Sequence, residues 1–493
     1  MARTSIEVTV RRPRSPTLAI EILLMAALTL VCSAALAQGG TPGEPTPPEV
    51  ISMPLPTSEV VQLAISEGGR FSVGPGVFEF PEGLVIDSDL LLVGAGTEAT
   101  VLELHGAPTA IRLAPGVHLE LQNLTVRYVG AEPADVIAVN GASLSLQSVM
   151  VVGGAYGADP SGAKRFGLGS GIVAWNGATV SVVDSELTRH GITAFELYGA
   201  SVVKLQRGAV SDNAVGFYAE DAVTLEVLEV TVEDNEFGAL QARDDATVLL
   251  EGSVVRSNGR AHRPGVDPNL RSDALRVTGA ATLRLVGNRI LNNERHAIST
   301  ADNARLHTSR NFFEGNGGEY EAEDYLISPV LLAGESRLES VDDVFQRNPG
   351  GSIELAEASS ALLDRVIIRE NALWSHMYLS GTAVLDIVNA GIVGNEGAIF
   401  IGSSARLNMR NSRVVATTDQ DAIIVEDAGQ VSLLSNTFEG NAYAGVSFAG
   451  AAGGVVAFNT FTGNLAGIVI MDEAAPELND NQMQGNGDDV LRL

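Results

Sequence analysis

Residues 459–464 read NTFTGN, and close variants recur as NRILNN at 288–293, NFFEGN at 311–316, NTFEGN at 436–441 and NQMQGN at 481–486. Each has an asparagine, an apolar residue two positions on, and a second asparagine five positions after the first. The second asparagine, or its equivalent, falls at Asn213, Asn235, Asn258, Asn293, Asn316, Asn348, Asn371, Asn395, Asn441, Asn464 and Asn486, mostly 22 to 24 residues apart. His190 stands one period before Asn213, and Thr418 is expected in the empty slot between Asn395 and Asn441. A beat near 23 residues without helical periodicity is the mark of a solenoid. Between asparagines the chain reads as one short strand, a turn and two more strands, as in AIIVEDAGQVSLLSNTFEGN. The leucine-rich framework of similar period is absent, so three strands per coil predict an all-β, parallel β-helix.

Alternation along the strands assigns Ile192, Phe217, Leu275, Ile298, Ile353, Ile399, Ile423, Val446 and Ile468 to one stacked interior column. At about 25 cal/mol per Å² of buried apolar surface, such a column stabilises strongly while the coils keep register. Composition agrees: glycine is abundant (53 residues) and only 18% of residues are charged, as suits short strands joined by tight turns.

Outside the repeat, residues 1–37 have the pattern of a signal peptide. Arg11, Arg12 and Arg14 precede an apolar run that ends in Ala35-Leu36-Ala37. An uncleaved anchor is the alternative. The only cysteine, Cys32, lies in this segment, so disulfides play no part in the expected mature chain. Removing the segment takes away four arginines and two glutamates, moving the net charge from -29 to -31. Such acidity opposes nucleic acid and fits a secreted or periplasmic protein, one able to associate with the cell surface. Residues 38–57 are proline-rich and read as a linker. SEVVQLAISEGG, from Ser58, reads as a short amphipathic helix that caps the β-helix domain of residues 58–493.

The leader GGRFSVGPGVFEF…LVIDSDLLLVGAGTEATVLEL resembles the first coils of the pectate-lyase-like superfamily of right-handed parallel β-helix proteins. The resemblance covers roughly residues 58–493 and implies the fold far more than an activity. The superfamily's enzymes act on polysaccharides as lyases, epimerases or glycoside hydrolases, and their motifs are missing or broken. Of the polygalacturonase set only Gly487-Asp488-Asp489 matches. Arg189 precedes His190-Gly191 where a glycine is required, and no R-x-P-x-x-R occurs. In place of Asp-Pro-His stands Asp267-Pro268-Asn269, and asparagine cannot act as a general base.

Position is more informative than motif. Insertions at about residues 154–170, 259–272 and 317–326 follow the same point in the coil, so they are expected on one side. The first two lie four coils apart, roughly 20 Å at strand spacing, and can wall a groove. Its expected floor is the outward face of the first strands: Val173 and Trp175, Thr193 and Phe195, Tyr218 and Glu220, Gln241 and Arg243, then Arg276. Aromatic rings beside carboxylates and arginines suit sugar recognition, with Trp175, Phe195, Tyr218, Gln241 and Arg243 as the binding set. Cover by the protein's own loops is the competing reading for these aromatics. For chemistry the candidates are Glu220 and His190 as bases, with Arg243 or Arg276 stabilising an oxyanion; His190 otherwise fills an asparagine-type turn slot. Asp221, Asp244 and Asp245 at the adjoining turn form a possible Ca2+ site, or a merely solvated acidic turn. Further on, Leu331, Phe400, Ile424 and Val469 make an outward apolar stripe suited to self-association. Two functions therefore stand open: binding or processing of an extracellular polysaccharide, and a non-catalytic structural or surface scaffold.

Overall fold

The computed structural model describes residues 50–493 except 54–55, 159–166, 260–272, 321–324 and 373–374, and at 319–320 and 325–326 the backbone only. The expected signal peptide and most of the linker, together with the bulk of the second insertion, lie outside the described residues. Within them the chain winds as a parallel solenoid of about 18 turns, each near 23 residues. A typical coil runs through a first strand, Val215–Ala219, a second, Thr224–Leu228, and a third, Thr231–Glu233. First strands stack into one parallel sheet from Leu84–Ile86 to Asp488–Arg492. Second and third strands form a 33-stranded sheet, joined where His118–Tyr128 and Ser143–Val152 run unbroken through the corner between them.

At the N-terminal end, helix Ser58–Glu67 turns Val61, Ala64 and Ile65 onto the first coils, while Leu63 stays exposed. Ile51–Met53, within the expected linker, is instead a strand paired in parallel with Phe71–Val73. Its β-branched and apolar side chains suit an edge strand. Among the described residues no helix is long and apolar enough to cross a membrane.

The asparagines form a ladder inside one corner. Each Nδ2 donates to the Oδ1 of the next coil, at 3.0 Å from Asn213 to Asn235, 2.9 Å from Asn235 to Asn258 and 3.1 Å from Asn258 to Asn293. The series continues through Asn316, Asn348 and Asn371 to Asn395, and resumes from Asn441 through Asn464 to Asn486. Each Oδ1 also accepts the backbone N–H of the preceding rung, and each Nδ2 reaches a buried carbonyl, as Asn258 does to Val232 at 3.0 Å. Every polar atom of a buried amide is thus used, which makes its burial tolerable. His190 occupies the first slot, its N–H donating to Asn213 Oδ1 at 3.0 Å. The empty slot is filled by Thr417 and not by Thr418: Thr417 N–H donates to Asn441 Oδ1 at 3.0 Å.

The first asparagine of each phrase builds a second ladder, between the second and third strands. Asn288 donates to Asn311 at 3.0 Å, and Asn311 to Asp343 Oδ1 at 3.0 Å. Asp343 also accepts from Thr308 and Ser340, each at 2.6 Å. A carboxylate only accepts, so this run ends there, and the next coil has Val366 at the equivalent place. Between the ladders the central residue of the phrase points inward, giving stacked pairs Phe313–Phe345 at 4.6 Å and Phe438–Phe461 at 4.8 Å.

Left-handed backbone falls on the residue before each asparagine and not on the asparagine itself. Asn292, Gly315 and Arg347 before one ladder, and Arg310, Asp342 and Ser435 before the other, have φ between 49° and 67°. A third such residue per coil, Asp221, Asp244 or Asp302, ends the first strand. Three left-handed residues make the three corners, and the asparagine that follows each of two corners turns its amide inward.

Three consequences are measurable. Asn258→Ala leaves partners on two neighbouring coils without their bonds, and should lower the unfolding free energy by about 2–4 kcal/mol in urea titration. Thr417→Asn, by completing the ladder, should raise it by about 1 kcal/mol. His190 is 2% exposed and burial lowers its pKa from 6.5 to about 4. A histidine whose folded pKa is depressed is protonated first in the unfolded chain. Its contribution is therefore constant above about pH 6.5 and is lost as pH falls from there towards 4. The shift corresponds to a loss of about 3 kcal/mol, and His190→Asn should remove that part of the pH dependence in unfolding measured between pH 7.5 and 4.5.

Candidate functional site

Strand register fixes which side chains face outward on the first-strand sheet. The inward column runs Ile172, Phe195, Phe217, Leu240, Leu275 and Ile298, and continues through Ile353, Ile399, Ile423, Val446 and Ile468 as expected. Ile192 does not belong to it. It lies in the corner before strand Thr193–Leu197, and Phe195 takes its place, fully buried and stacked on Phe217 at 5.1 Å. The expected sugar contact at Phe195 is thereby corrected to a core residue. The cause is the variable corner: Phe195 is five residues after its ladder position and Phe217 only four, and a slip of one residue exchanges the two faces.

The outward row is therefore Val173, Glu196, Tyr218, Gln241 and Arg276. Beside it a second row runs Trp175, Tyr198, Glu220 and Arg243, set by backbone bonds such as Tyr198 N to Ala174 O and Arg243 N to Ala219 O. Trp175, Glu220, Gln241 and Arg243 are half-buried and Arg276 is exposed. Tyr218 is only 1% exposed and Glu196 is fully buried. The row is thus closed from Val173 through Glu196 to Tyr218 and opens towards Gln241 and Arg276, so Tyr218 is not a stacking platform.

A polar network supports this face. Tyr198 OH donates to Glu196 Oε1 and Ser170 Oγ to Oε2, both at 2.6 Å. Thr193 Oγ1 donates to Ser170 Oγ at 3.1 Å, while Asp135 Oδ1 accepts the N–H groups of Gly169 and Ser170 at 3.0 Å. One coil on, Tyr218 OH donates to Glu220 Oε2 at 2.9 Å, and Arg243 hydrogen-bonds Tyr218. The two phenol rings lie 5.9 Å apart. Burial, then the neighbouring Glu196, pushes the Tyr198 pKa far up. Tyr218 is pushed up to about 12 by burial and by Glu220, with Arg243 opposing. Both phenols therefore stay protonated at neutral pH and hold the two carboxylates as acceptors.

The candidate bases are not brought together. Glu220 sits on the outward face, whereas His190 is in the ladder corner with Nδ1 against the Gly153 carbonyl. A Cβ on Gly171 would lie 2.6 Å from His190 Nε2, so glycine makes room for the ring. The aspartates have corner duties. Asp221 Oδ2 accepts the Gly199 N–H at 3.0 Å, as Asp302 does from Gly279 at 3.0 Å and Asp427 from Ser403 at 2.9 Å. Asp244 and Asp245 are exposed, and among the described residues no group of three or more His, Cys, Asp and Glu is arranged to hold a metal ion.

Sequence reasoning missed Glu196, Tyr198, Ser170 and Asp135. The available signal was a glutamate between Phe195 and Leu197 in TAFEL, an ionisable group in an otherwise apolar strand. Missed as well is a second polar group further along the sheet, where Ser299 Oγ donates to Asp273 Oδ2 at 2.5 Å and His296 Nδ1 meets the Ser328 carbonyl at 2.5 Å. Beyond it, Leu331, Phe400, Ile424 and Val469 do share one outward column, half-buried, with Tyr378 stacked on Phe400 at 5.2 Å. A shallow depression of about 470 Å³ lined by Thr97, Met150, Asp184 and Arg207 lies at the corner of the other two strands, away from this face.

Among solved structures of similar architecture, the Vag8–C1 inhibitor complex is 12% identical with a TM-score of 0.44, covering 83% of this chain and 95% of that one. ORF18 of Geobacillus virus E2 is 10% identical with a TM-score of 0.37, covering 77% of this chain, which spans 66% of ORF18. The periplasmic alginate epimerase AlgG is 10% identical with a TM-score of 0.33, covering 84% of each chain. Likenesses this distant say nothing of activity. No curated protein matches the chain. The family described as right handed beta helix region matches residues 170–373 and 328–486. That span takes in most of the coils, with their parallel register and their asparagine corners; the chain belongs to the right-handed β-helix family.

Proposed function

We propose that this chain is an exported β-helix protein that binds an extracellular polysaccharide on its first-strand face. The observation that carries this reading is the pair of outward rows, Gln241 and Arg276 in one and Trp175 and Arg243 in the other, around the Tyr198–Glu196 and Tyr218–Glu220 pairs. Trp175 supplies an apolar face on which a pyranose ring can stack, and the amide and guanidinium groups supply donors for hydroxyl or carboxylate oxygens. The buried Tyr218 phenol holds Glu220 and Arg243 in place, which lowers the entropy lost on binding. Export follows from the leader of residues 1–37, and the acidic surface keeps such a protein soluble outside the cell. Where turnover accompanies binding, Glu220 is the carboxylate positioned to take a proton and Arg243 or Arg276 the cation that meets a developing oxyanion.

The second reading is a non-catalytic scaffold, favoured by the half-buried stripe of Leu331, Phe400, Ile424 and Val469. The two separate in one set of measurements. On a glycan array the polysaccharide reading expects binding that Trp175→Ala with Arg243→Ala weakens at least roughly tenfold, a loss of about 1.4 kcal/mol. Phe400→Asp should leave that binding intact. No glycan bound, together with self-association lost in Phe400→Asp, would establish the scaffold instead. Incubation with uronate polymers, with and without Ca2+, tests turnover through unsaturated products and new reducing ends. Neither product would leave binding without catalysis.

A further inference from the structure

Several cations on and beside the second strands are matched by an acid on a neighbouring coil, although among the described residues the exposed Arg406 and Arg410 are not. Lys204 meets Glu226 at 3.2 Å, and at the adjoining corner Arg207 meets Asp184 at 2.8 Å and Arg365 meets Asp342 at 2.7 Å. The coils Thr282–Val286, Arg305–Ser309 and Arg337–Val341 break this pattern. Arg305 is the register partner of Arg337, and Arg284 of His307. All four side chains are exposed, and among the described residues none of the three arginines is in an ion pair. Glu339 is the one acid within the group and it lies 3.4 Å from His307. At the positions opposite these charges the flanking coils are neutral, Thr247 and Leu249 before and Ser360 and Leu362 after, while Glu251 and Asp364 stand at the third outward position of those coils.

Like charges set directly opposite one another on a sheet repel, and a chain of net charge -29 has acids to spare for neutralising them. We infer that Arg284, Arg305 and Arg337 form an anion site on the second-strand sheet that takes a sulfate or phosphate monoester. Two guanidinium forks about 4.8 Å apart can straddle one tetrahedral oxyanion, each donating two N–H groups, while Arg284 approaches diagonally. Arginine suits this task better than lysine, because its planar fork matches paired oxygens. The protein's overall negative field reaches only about 8 Å at physiological ionic strength, so a compact ester group is admitted locally. A polymer as densely charged as duplex DNA would press against the surrounding acids along its length. The site is independent of the polysaccharide reading, since it occupies a different sheet from Trp175 and Arg243.

The test uses the full chain with three probes: dextran sulfate, vesicles carrying phosphatidic acid, and duplex DNA. Binding to dextran sulfate or to the vesicles is expected, and whichever binds identifies a polymer-borne or a lipid-borne ester. Arg305→Glu with Arg337→Glu should weaken it at least roughly tenfold, Arg305→Gln with Arg337→Gln should do so less, and Trp175→Ala should leave it unchanged. Raising salt from about 50 to about 200 mM should also weaken it. Circular dichroism of the variants should match the parent, because all the substituted side chains are exposed. Binding to neither ester probe, binding indifferent to charge reversal, or equal binding to DNA would overturn the site. Loss of glycan binding in Trp175→Ala with ester binding kept would separate this site from the first-strand face.

Discussion

A buried asparagine amide that must bond both along its own coil and to the next is the constraint on which this solenoid rests. Two Nδ2 hydrogens and the Oδ1 lone pairs are satisfied only when neighbouring coils are in register. A slip of one residue would bury unpaired amides in several coils at once, each costing more than a surface bond is worth. The apolar columns gain from the same register but do not dictate it, because leucine and isoleucine pack tolerably in several arrangements. Hydrophobic burial supplies most of the energy and the amides supply the alignment.

From that alignment the placement of charge follows. With interior positions apolar and ladder positions amide, His190 and Asp343 apart, most ionisable residues are left to the outward columns and to the left-handed corner residues. Asp221, Asp302, Asp427 and Asp472 share one corner and cap a backbone N–H of the coil before. Much of the acidity is thus corner chemistry, and an acidic cluster at a turn of this fold carries little functional information. Glu196 is the contrasting case, since it is buried on an outward column and accepts from the hydroxyl groups of Ser170 and Tyr198.

The repeat was legible in the sequence because its cause is local. An asparagine, a neighbour with left-handed backbone and a period near 23 residues identify the corner wherever they occur. The ladder slots from His190 to Asn486 were therefore readable, and so was most of the interior column. The path between corners was less readable. Four, five or more residues separate a ladder position from its interior partner, so parity counted from the asparagine fails at Ile192 and Phe195. Thr417 and Thr418 are indistinguishable by composition, and only the bond from Thr417 N–H to Asn441 decides between them. The candidate face was half legible. Trp175, Tyr218, Gln241, Arg243 and Arg276 stand outward as read, whereas Glu196 takes one partner, Tyr198, from its own coil and another, Ser170, from the coil before, a meeting that only the folded register reveals.

The Thr417 slot has a consequence for how the molecule comes apart. Asparagine rungs run from Asn213 to Asn395 and again from Asn441 to Asn486, and the other ladder has Ser412 at the same level, after Val366 and Ala390. Between the coil of Asn395 and that of Asn441 neither corner has an amide-to-amide bond. In a linear array where each unit is held only by its neighbours, the weakest junction decides where a long rod stops behaving as one cooperative body. The coils beyond Thr417 are then the segment expected to separate first when the rod begins to unwind.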